Sequence, residues 1–108
     1  MPINLPAPIA VYLAAENADN PEAVGECFAE DAVVYDEDES FVGLAAIKEW
    51  KRQTKQKYQH TVEALAAAEK DDGTVVTVRM AGNFPGSPVE VPFLFHLANG
   101  KIVSLEIG

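Results

Sequence analysis

The chain has 108 residues, of which 48% are hydrophobic, a net charge of −9 at neutral pH and a single cysteine. This length suits one domain over residues 1–108, and the negative charge argues against nucleic acids and anionic membranes as partners. Cys27 alone excludes an internal disulfide. Because the chain has neither a membrane-length apolar run nor a basic signal-peptide start, we expect a cytoplasmic protein.

Two helices are predicted near the beginning of the chain, where apolar residues recur at helical spacing. Pro6 or Pro8 suits the first turn of the first helix, whose inward stripe contains Ile9, Tyr12, Leu13 and Glu16. Asn20 and Pro21 have the pattern of a cap followed by a proline at the first helical position. They predict a second, short helix with an inward stripe of Val24, Cys27 and Phe28.

The next segment, AVVYDEDESF at 32–41, predicts a strand over 32–36 that runs into four consecutive acids. Gly43 then opens a longer helix whose inward residues are Leu44, Ile47 and Trp50. Acids in such a run are commonly solvated loop residues. Asp36 differs from Glu37, Asp38 and Glu39 because it stands where the apolar strand stops. Its carboxylate is therefore predicted to lie at the rim of a hollow or inside it, where it could act as a general base.

A basic segment, KEWKRQTKQK at 48–57, holds five bases against one acid and follows a stretch with ten acids and no base. One interpretation is a solvated helix face that complements an acidic surface. The other is a patch for phosphate or an acidic partner. The sequence leaves both open.

Strands are predicted for the second half of the chain, which is divided by the turn pairs Asp72-Gly73, Pro85-Gly86 and Asn99-Gly100. The expected strands are 57–70, 74–84, 87–98 and 101–108, joined as an antiparallel meander. The first of them is Ala-rich, a composition that also suits a helix. In the third, Leu94 and His96 point away from the face that carries Val89, Val91, Phe93 and Phe95.

Together these elements predict an α+β fold in which helices cover one face of a curved antiparallel sheet. A hollow between helices and sheet is a usual site for a small, mostly apolar ligand. We expect the sheet face with Val89, Val91, Phe93 and Phe95 to be the outer one and to pair two copies of the chain, because an exposed apolar face needs a cover.

Three further side chains are candidates for this hollow. Tyr12 is either a core residue or a phenol that donates a hydrogen bond to an oxyanion, and Trp50 either closes the core or forms a wall for a ring. His96 is either a satisfied structural histidine or a catalytic one, whereas His60 is expected to be exposed. Because the two histidines lack the spacing of a metal site and no phosphate loop or dinucleotide fingerprint is present, we expect no metal and no cofactor.

The chain resembles the nuclear transport factor 2-like superfamily, in particular its SnoaL-like polyketide cyclase and ketosteroid isomerase group. The similarity is carried by YLAAENADNPEAVGECFAEDAVVYD, FVGLAAIKEW, GNFPGSPVEVPFLF and NGKIVSLEI, and covers nearly the whole chain. It implies a cone of helices and curved sheet around an apolar pocket, often in a dimer formed through the sheet. It also implies that Asp36 is the general base, and that Tyr12, sixteen residues before Phe28, is the oxyanion donor.

The chain departs from the isomerases at two matched positions and has a shorter loop between Asp36 and Gly43. Leu94 stands where the isomerases have a protonated Asp, and Lys51 stands where a second Tyr supports the first. His96, on the same side of its strand as Leu94, is the candidate replacement. Leu94, Phe28 and Trp50 are the expected ligand-binding residues.

Two hypotheses about function follow. The first is an enzyme of isomerase or cyclase type, in which Asp36 moves a proton beside a carbonyl, Tyr12 stabilises the enolate and His96 assists. The second is a non-catalytic domain that binds a small ligand or mediates dimerisation. A homodimer is expected under both.

Overall fold

The computed structural model describes residues 5–18, 23–36, 38–70 and 73–108 of the chain. Within these residues three helices and six strands follow one another. They are α1 (Ala7–Ala18), α2 (Val24–Cys27), β1 (Phe28–Asp36), β2 (Glu39–Val42), α3 (Leu44–Tyr58), β3 (Thr61–Lys70), β4 (Gly73–Ala81), β5 (Val89–Ala98) and β6 (Lys101–Ile107). None of the helices so described is long and apolar enough to cross a membrane.

The strands form one open, curved sheet in the order β2-β1-β6-β5-β4-β3. The α+β class and the meander β3-β4-β5-β6 are confirmed, and all neighbours in the meander are antiparallel. The sheet as a whole is mixed, because β1 pairs in parallel with β6, with Val34 opposite Leu105. This central parallel pair brings the end of β1, and with it Asp36, beside the end of β6.

The region around the acidic run differs most from the prediction. The strand β1 begins at Phe28 rather than at residue 32, so Phe28 belongs to the sheet and not to a helix. The strand β2 was not predicted; it pairs with β1 through a tight hairpin in which Asp36 lies opposite Glu39 and Asp38 has a φ of 65°. The strand β2 takes only Glu39 from the acidic run, and its Phe41 and Val42 are residue types that favour a strand. Glu37 lies outside the described residues.

Two of the three predicted turn pairs lie fully within the described residues. Pro85-Gly86 and Asn99-Gly100 form turns, and Asn99 and Gly100 have the positive φ angles, 54° and 77°, that a tight hairpin requires. Asn20, Pro21 and Asp72 lie outside the described residues, as does the side chain of Val24.

The helices pack on the sheet face that carries Phe93 and Phe95, which are 1% and 0% exposed. The prediction that this face is the outer one is therefore wrong. The reason is that α1 lies across it, with the ring of Tyr12 5.8 Å from that of Phe95. The core beneath the helices also contains Ile9, Leu13, Phe28, Val34, Ile47, Val76, Val78, Ile102 and Leu105.

Candidate functional site

A cavity of about 120 Å³ lies between α1, α3 and the inner face of the sheet. Its lining is partly aromatic and aliphatic and partly polar: Tyr12, Glu16, Asp36, Trp50, Thr54, Tyr58, His60, Met80, Val91, Phe93 and Ile107. A cavity of roughly 150 Å³ can hold benzene, whereas drug-sized ligands occupy about 300 Å³ or more. The cavity is therefore somewhat smaller than one that holds benzene, and the part of a ligand inside it has at most about six non-hydrogen atoms.

Asp36 lies where this cavity meets an open groove. Asp36 lines both the cavity and the groove. The rest of the groove is formed by the β1–β2 hairpin and the end of β6. The indole N–H of Trp50 donates a hydrogen bond to Oδ2 of Asp36 over 2.9 Å. Because Trp50 is only 5% exposed, this bond fixes the carboxylate to a side chain whose own position is set by the core.

Tyr12 is almost fully buried, at 1% exposure, and still lines the cavity. Its ring packs edge-to-face against Phe28, with the ring centroids 5.7 Å apart. Burial, and to a smaller extent the negative charges of Asp36 and Cys27, raise the pKa of Tyr12 well above its ordinary value. The phenol is therefore neutral at physiological pH and keeps its proton as a hydrogen-bond donor.

A second polar group lies at the cavity wall and is formed by Glu16, Lys51 and His60, here called the Glu16 cluster; Glu16 and His60 line the cavity and Lys51 lies behind them. Nζ of Lys51 contacts Oε2 of Glu16, and Nε2 of His60 contacts Oε1 of the same carboxylate. The three residues are 2%, 6% and 4% exposed. Three ionisable side chains are thus buried together, and two of them, Glu16 and His60, line the cavity.

Lys51 stands behind the cavity wall rather than in it. Its ammonium lies 5.2 Å from the ring centre of Tyr12 and 4.9 Å from that of Trp50, distances at which a cation is attracted to an aromatic face. Burial and, less strongly, the nearby Lys55 ammonium lower the pKa of Lys51 to about 7. The amine therefore gains or loses its proton near neutral pH.

The structure brings together three of the predicted site residues, Asp36, Tyr12 and Trp50, around one cavity. Phe28 does not line this cavity but supports the ring of Tyr12 from the side. Leu94 lies between two inward residues of β5 and points to the outer face. The β5 side chain that forms the cavity wall beside it is Phe93, which, like Leu94, has no hydrogen-bonding group.

His96 also points to the outer face, where Nδ1 is 3.0 Å from Oγ of Ser104 on β6. The structure does not bring this residue to the cavity. The other histidine, His60, was expected to be exposed, and that expectation is wrong. The end of α3 at Tyr58 and the left-handed Gln59 turn the chain so that His60 faces Glu16.

All three members of the Glu16 cluster were missed as site residues. A signal was present for two of them. Glu16 continues the inward stripe of α1 one turn after Tyr12, and Lys51 follows Ile47 by one turn of α3, so both charged groups fall on the apolar side of their helices. His60 carries no such signal, because its direction depends on how α3 ends.

Comparison with known proteins shows the family to which the chain belongs. The sequence profile of the SnoaL-like domain matches residues 9–105. The chain belongs to the SnoaL-like domain family. Its nuclear transport factor 2-like fold, expected from the resemblance, is also found among the similar solved structures. A comparison with curated proteins found no match.

Among similar solved structures, a Sinorhizobium meliloti protein provisionally named a polyketide cyclase is 35% identical, with a TM-score of 0.92 over 96% of this chain and 95% of that one. A Catenulispora acidiphila protein with a ketosteroid isomerase-like fold, solved in complex with trimethylamine, is 24% identical, with a TM-score of 0.83 over 97% and 86%. The second likeness shows the fold alone. Across the described residues of this SnoaL-like domain, no three His, Cys, Asp or Glu side chains are grouped to hold a metal.

Proposed function

We propose that this SnoaL-like domain binds a small, mostly apolar ketone in its cavity and moves a proton at the carbon beside the carbonyl. One observation carries the proposal: the carboxylate-bearing Asp36 and the neutral, buried phenol of Tyr12 line the same cavity. A base and a hydrogen-bond donor around one small space are the two groups that enolisation needs.

In the proposed reaction, Asp36 accepts the proton from the α-carbon, and the electron pair of the broken C–H bond forms the enolate. Tyr12 donates a hydrogen bond to the enolate oxygen, and Trp50 keeps the carboxylate oriented. In a β,γ-unsaturated ketone, return of the proton to the γ-carbon of the dienolate would make the reaction an isomerisation. Attack of the enolate carbon on a second carbonyl of the same molecule, whose oxygen then takes the proton from Asp36, would make it a cyclisation. The part of the substrate inside the cavity has at most about six non-hydrogen atoms, and a larger substrate would extend into the groove beyond Asp36.

A non-catalytic role, the binding of a small alkylammonium ion, is the second candidate. Aromatic faces combined with a carboxylate attract such cations, and Tyr12, Trp50 and Tyr58 line the cavity together with Asp36. The fold relative from Catenulispora acidiphila was solved with trimethylamine, which is small enough for a cavity of this volume.

Deuterium exchange distinguishes the two roles. The α-protons of 2-pentanone are followed by NMR in D₂O with and without the protein. Asp36→Asn should lower the catalysed exchange by at least about 100-fold, because a general base contributes roughly 10² to 10⁴. Asp31→Asn, the same change at an exposed residue of β1, is the control. Exchange that survives in Asp36→Asn would remove Asp36 from its role, and tight trimethylammonium binding without any exchange would favour the second candidate.

Homodimerisation through the sheet stays a prediction. Because the helices cover the face with Phe93 and Phe95, a second copy of the chain would have to pack on the opposite face. That face carries the half-buried Val75 on β4 and Leu94 on β5, which are paired across the two strands. Leu94→Lys should therefore shift the sedimentation coefficient towards that of a monomer, while an unchanged value would exclude this face.

A further inference from the structure

The Glu16 cluster goes beyond what enolisation of a simple ketone requires. Burying ionised side chains costs several kcal/mol per ion, and well-packed apolar residues commonly stabilise a core as well or better. A cluster of three such groups next to a cavity therefore suggests a role towards a ligand.

The cluster is also not needed to join its three elements, since other side chains do so. Nζ of Lys55 donates to the backbone oxygens of Glu16, over 2.8 Å, and of His60. The amide of Asn17 exchanges two hydrogen bonds with the backbone of Val62, at 2.9 and 2.7 Å. These contacts already connect α1, α3 and the start of β3, so the side chains of the Glu16 cluster are additional.

Glu16 and Tyr12 lie one helical turn apart on α1, and both face the cavity. A ligand whose carbonyl oxygen accepts a hydrogen bond from Tyr12 thus has a second polar position about 5 Å further along the helix. Although Lys51 and His60 each contact one oxygen of Glu16, a carboxylate oxygen accepts more than one hydrogen bond. In its protonated form, Lys51 supplies charge that balances Glu16 without occupying the cavity.

We propose that Glu16 and His60 bind a second oxygen of the substrate, so that the preferred substrates are short ketones with a hydroxyl group two or three carbons from the carbonyl. This inference rests on the proposed function for the position of the carbonyl. In it, the ligand hydroxyl donates to the Glu16 carboxylate, the imidazole of His60 lies beside it, and Lys51 is a positioning residue.

Two ketones of equal size test this inference. 4-Hydroxy-2-butanone differs from 2-pentanone only in having a hydroxyl in place of the terminal methyl. A hydrogen bond to a charged group contributes about 1.5–3 kcal/mol, so kcat/KM for α-proton exchange should favour the hydroxyketone by at least about tenfold. Glu16→Gln and His60→Asn should reduce this ratio towards one. His96→Asn, which changes the histidine on the outer face, should leave it unaltered.

The outcomes separate the inference from the proposed function. Exchange of both ketones at equal kcat/KM, lost in Asp36→Asn, would keep the function and overturn the inference. If neither ketone exchanges, the function fails, and NMR titration of the wild-type protein with each ketone then tests the second oxygen site by itself. Tighter binding of the hydroxyketone, with shifts at His60, supports the site, and equal binding overturns it. If Glu16→Gln or His60→Asn lowers kcat/KM for both ketones by the same factor, the cluster is only structural.

Discussion

The two polar regions of the cavity, Asp36 and the Glu16 cluster, differ in their exposure to solvent. Asp36 lies at the border between the cavity and an open groove, and the indole N–H of Trp50 donates a hydrogen bond to its carboxylate. Glu16 is 2% exposed, and both its oxygens contact buried cationic or imidazole groups. A carboxylate at a border can exchange protons with a ligand and solvent, whereas an enclosed one with two partners is held in place. The same functional group is thus suited to proton transfer in one region and to ligand positioning in the other.

The difference also teaches how each region is encoded. Asp36 is placed by a short-range feature, the end of an apolar strand, which the sequence displays directly. The Glu16 cluster is assembled from α1, α3 and the residue before β3, so it exists only once those elements pack. Substitutions in the Asp36 region should therefore act mainly on exchange kinetics, and substitutions in the Glu16 cluster mainly on the free energy of unfolding.

Tyr12→Phe should have a large effect on catalysis in the Asp36 region, because it removes the oxyanion donor while keeping the ring. Loss of such a donor lowers kcat by about 10²–10³. The free energy of unfolding should change by no more than about 1–2 kcal/mol, since the packing against Phe28 and Phe95 remains. Exchange kinetics and urea denaturation of the same samples check both. Unchanged kcat would mean that the phenol is only a core residue.

Glu16→Gln should act mainly on stability. Removing one charge from a buried ion pair leaves its partner uncompensated and costs about 3–5 kcal/mol. Asp36→Asn, the matched change in the other region, should cost less than about 1 kcal/mol, because Asp36 is partly exposed and an amide oxygen still accepts from Trp50. Urea titrations of the two variants compare the regions directly. Equal losses of unfolding free energy would contradict the view that Glu16 is the more tightly held carboxylate.

Lys51 should make stability depend on pH. Its pKa is about 7 in the folded protein, against about 10.4 in an unfolded chain. Above pH 7 the unfolded state therefore binds more protons, and the free energy of unfolding should rise with pH by up to about 1.4 kcal/mol per unit.

The useful window is pH 7.5–8.5, because burial raises the pKa of the Cys27 thiol to about 11, and ionisation of that thiol in the unfolded state lowers stability at higher pH. Urea denaturation across this window should give a flatter pH dependence for Lys51→Met than for the wild type. Parallel curves would show that Lys51 does not lose its proton near neutrality.

His96→Asn should have the smallest effect. The residue lies on the outer face and contacts Ser104, so the change should cost less than about 1 kcal/mol and leave exchange kinetics unaltered. A loss of exchange comparable to that of Asp36→Asn would return His96 to the catalytic group and require movement of β5.

Much of the architecture was accessible from the residues alone. The turn pairs at Pro85-Gly86 and Asn99-Gly100 and the alternation in β5 predicted the meander, and helical spacing predicted the inward direction of Tyr12 and Trp50. The alternation in β5 also indicated which sheet face the helices cover, since one face is continuously apolar and the other carries Glu90 and His96; the prediction that the apolar face is the outer one misinterpreted that pattern. What the sequence could not show was the pairing of β1 with β6. It also could not show the direction of His60, which follows from a single left-handed residue, Gln59.

The parallel pair of β1 and β6 has a consequence for the route by which the chain folds. Strands that are far apart in sequence, with Val34 opposite Leu105, can pair only after a long loop has closed, and contacts of this kind slow folding. On a ribosome, β1 could pair with β2 at once, but its other edge would stay unpaired until β6 had left the exit tunnel. Until then the apolar β1 would be available to other chains, which makes this segment the expected starting point of aggregation during synthesis.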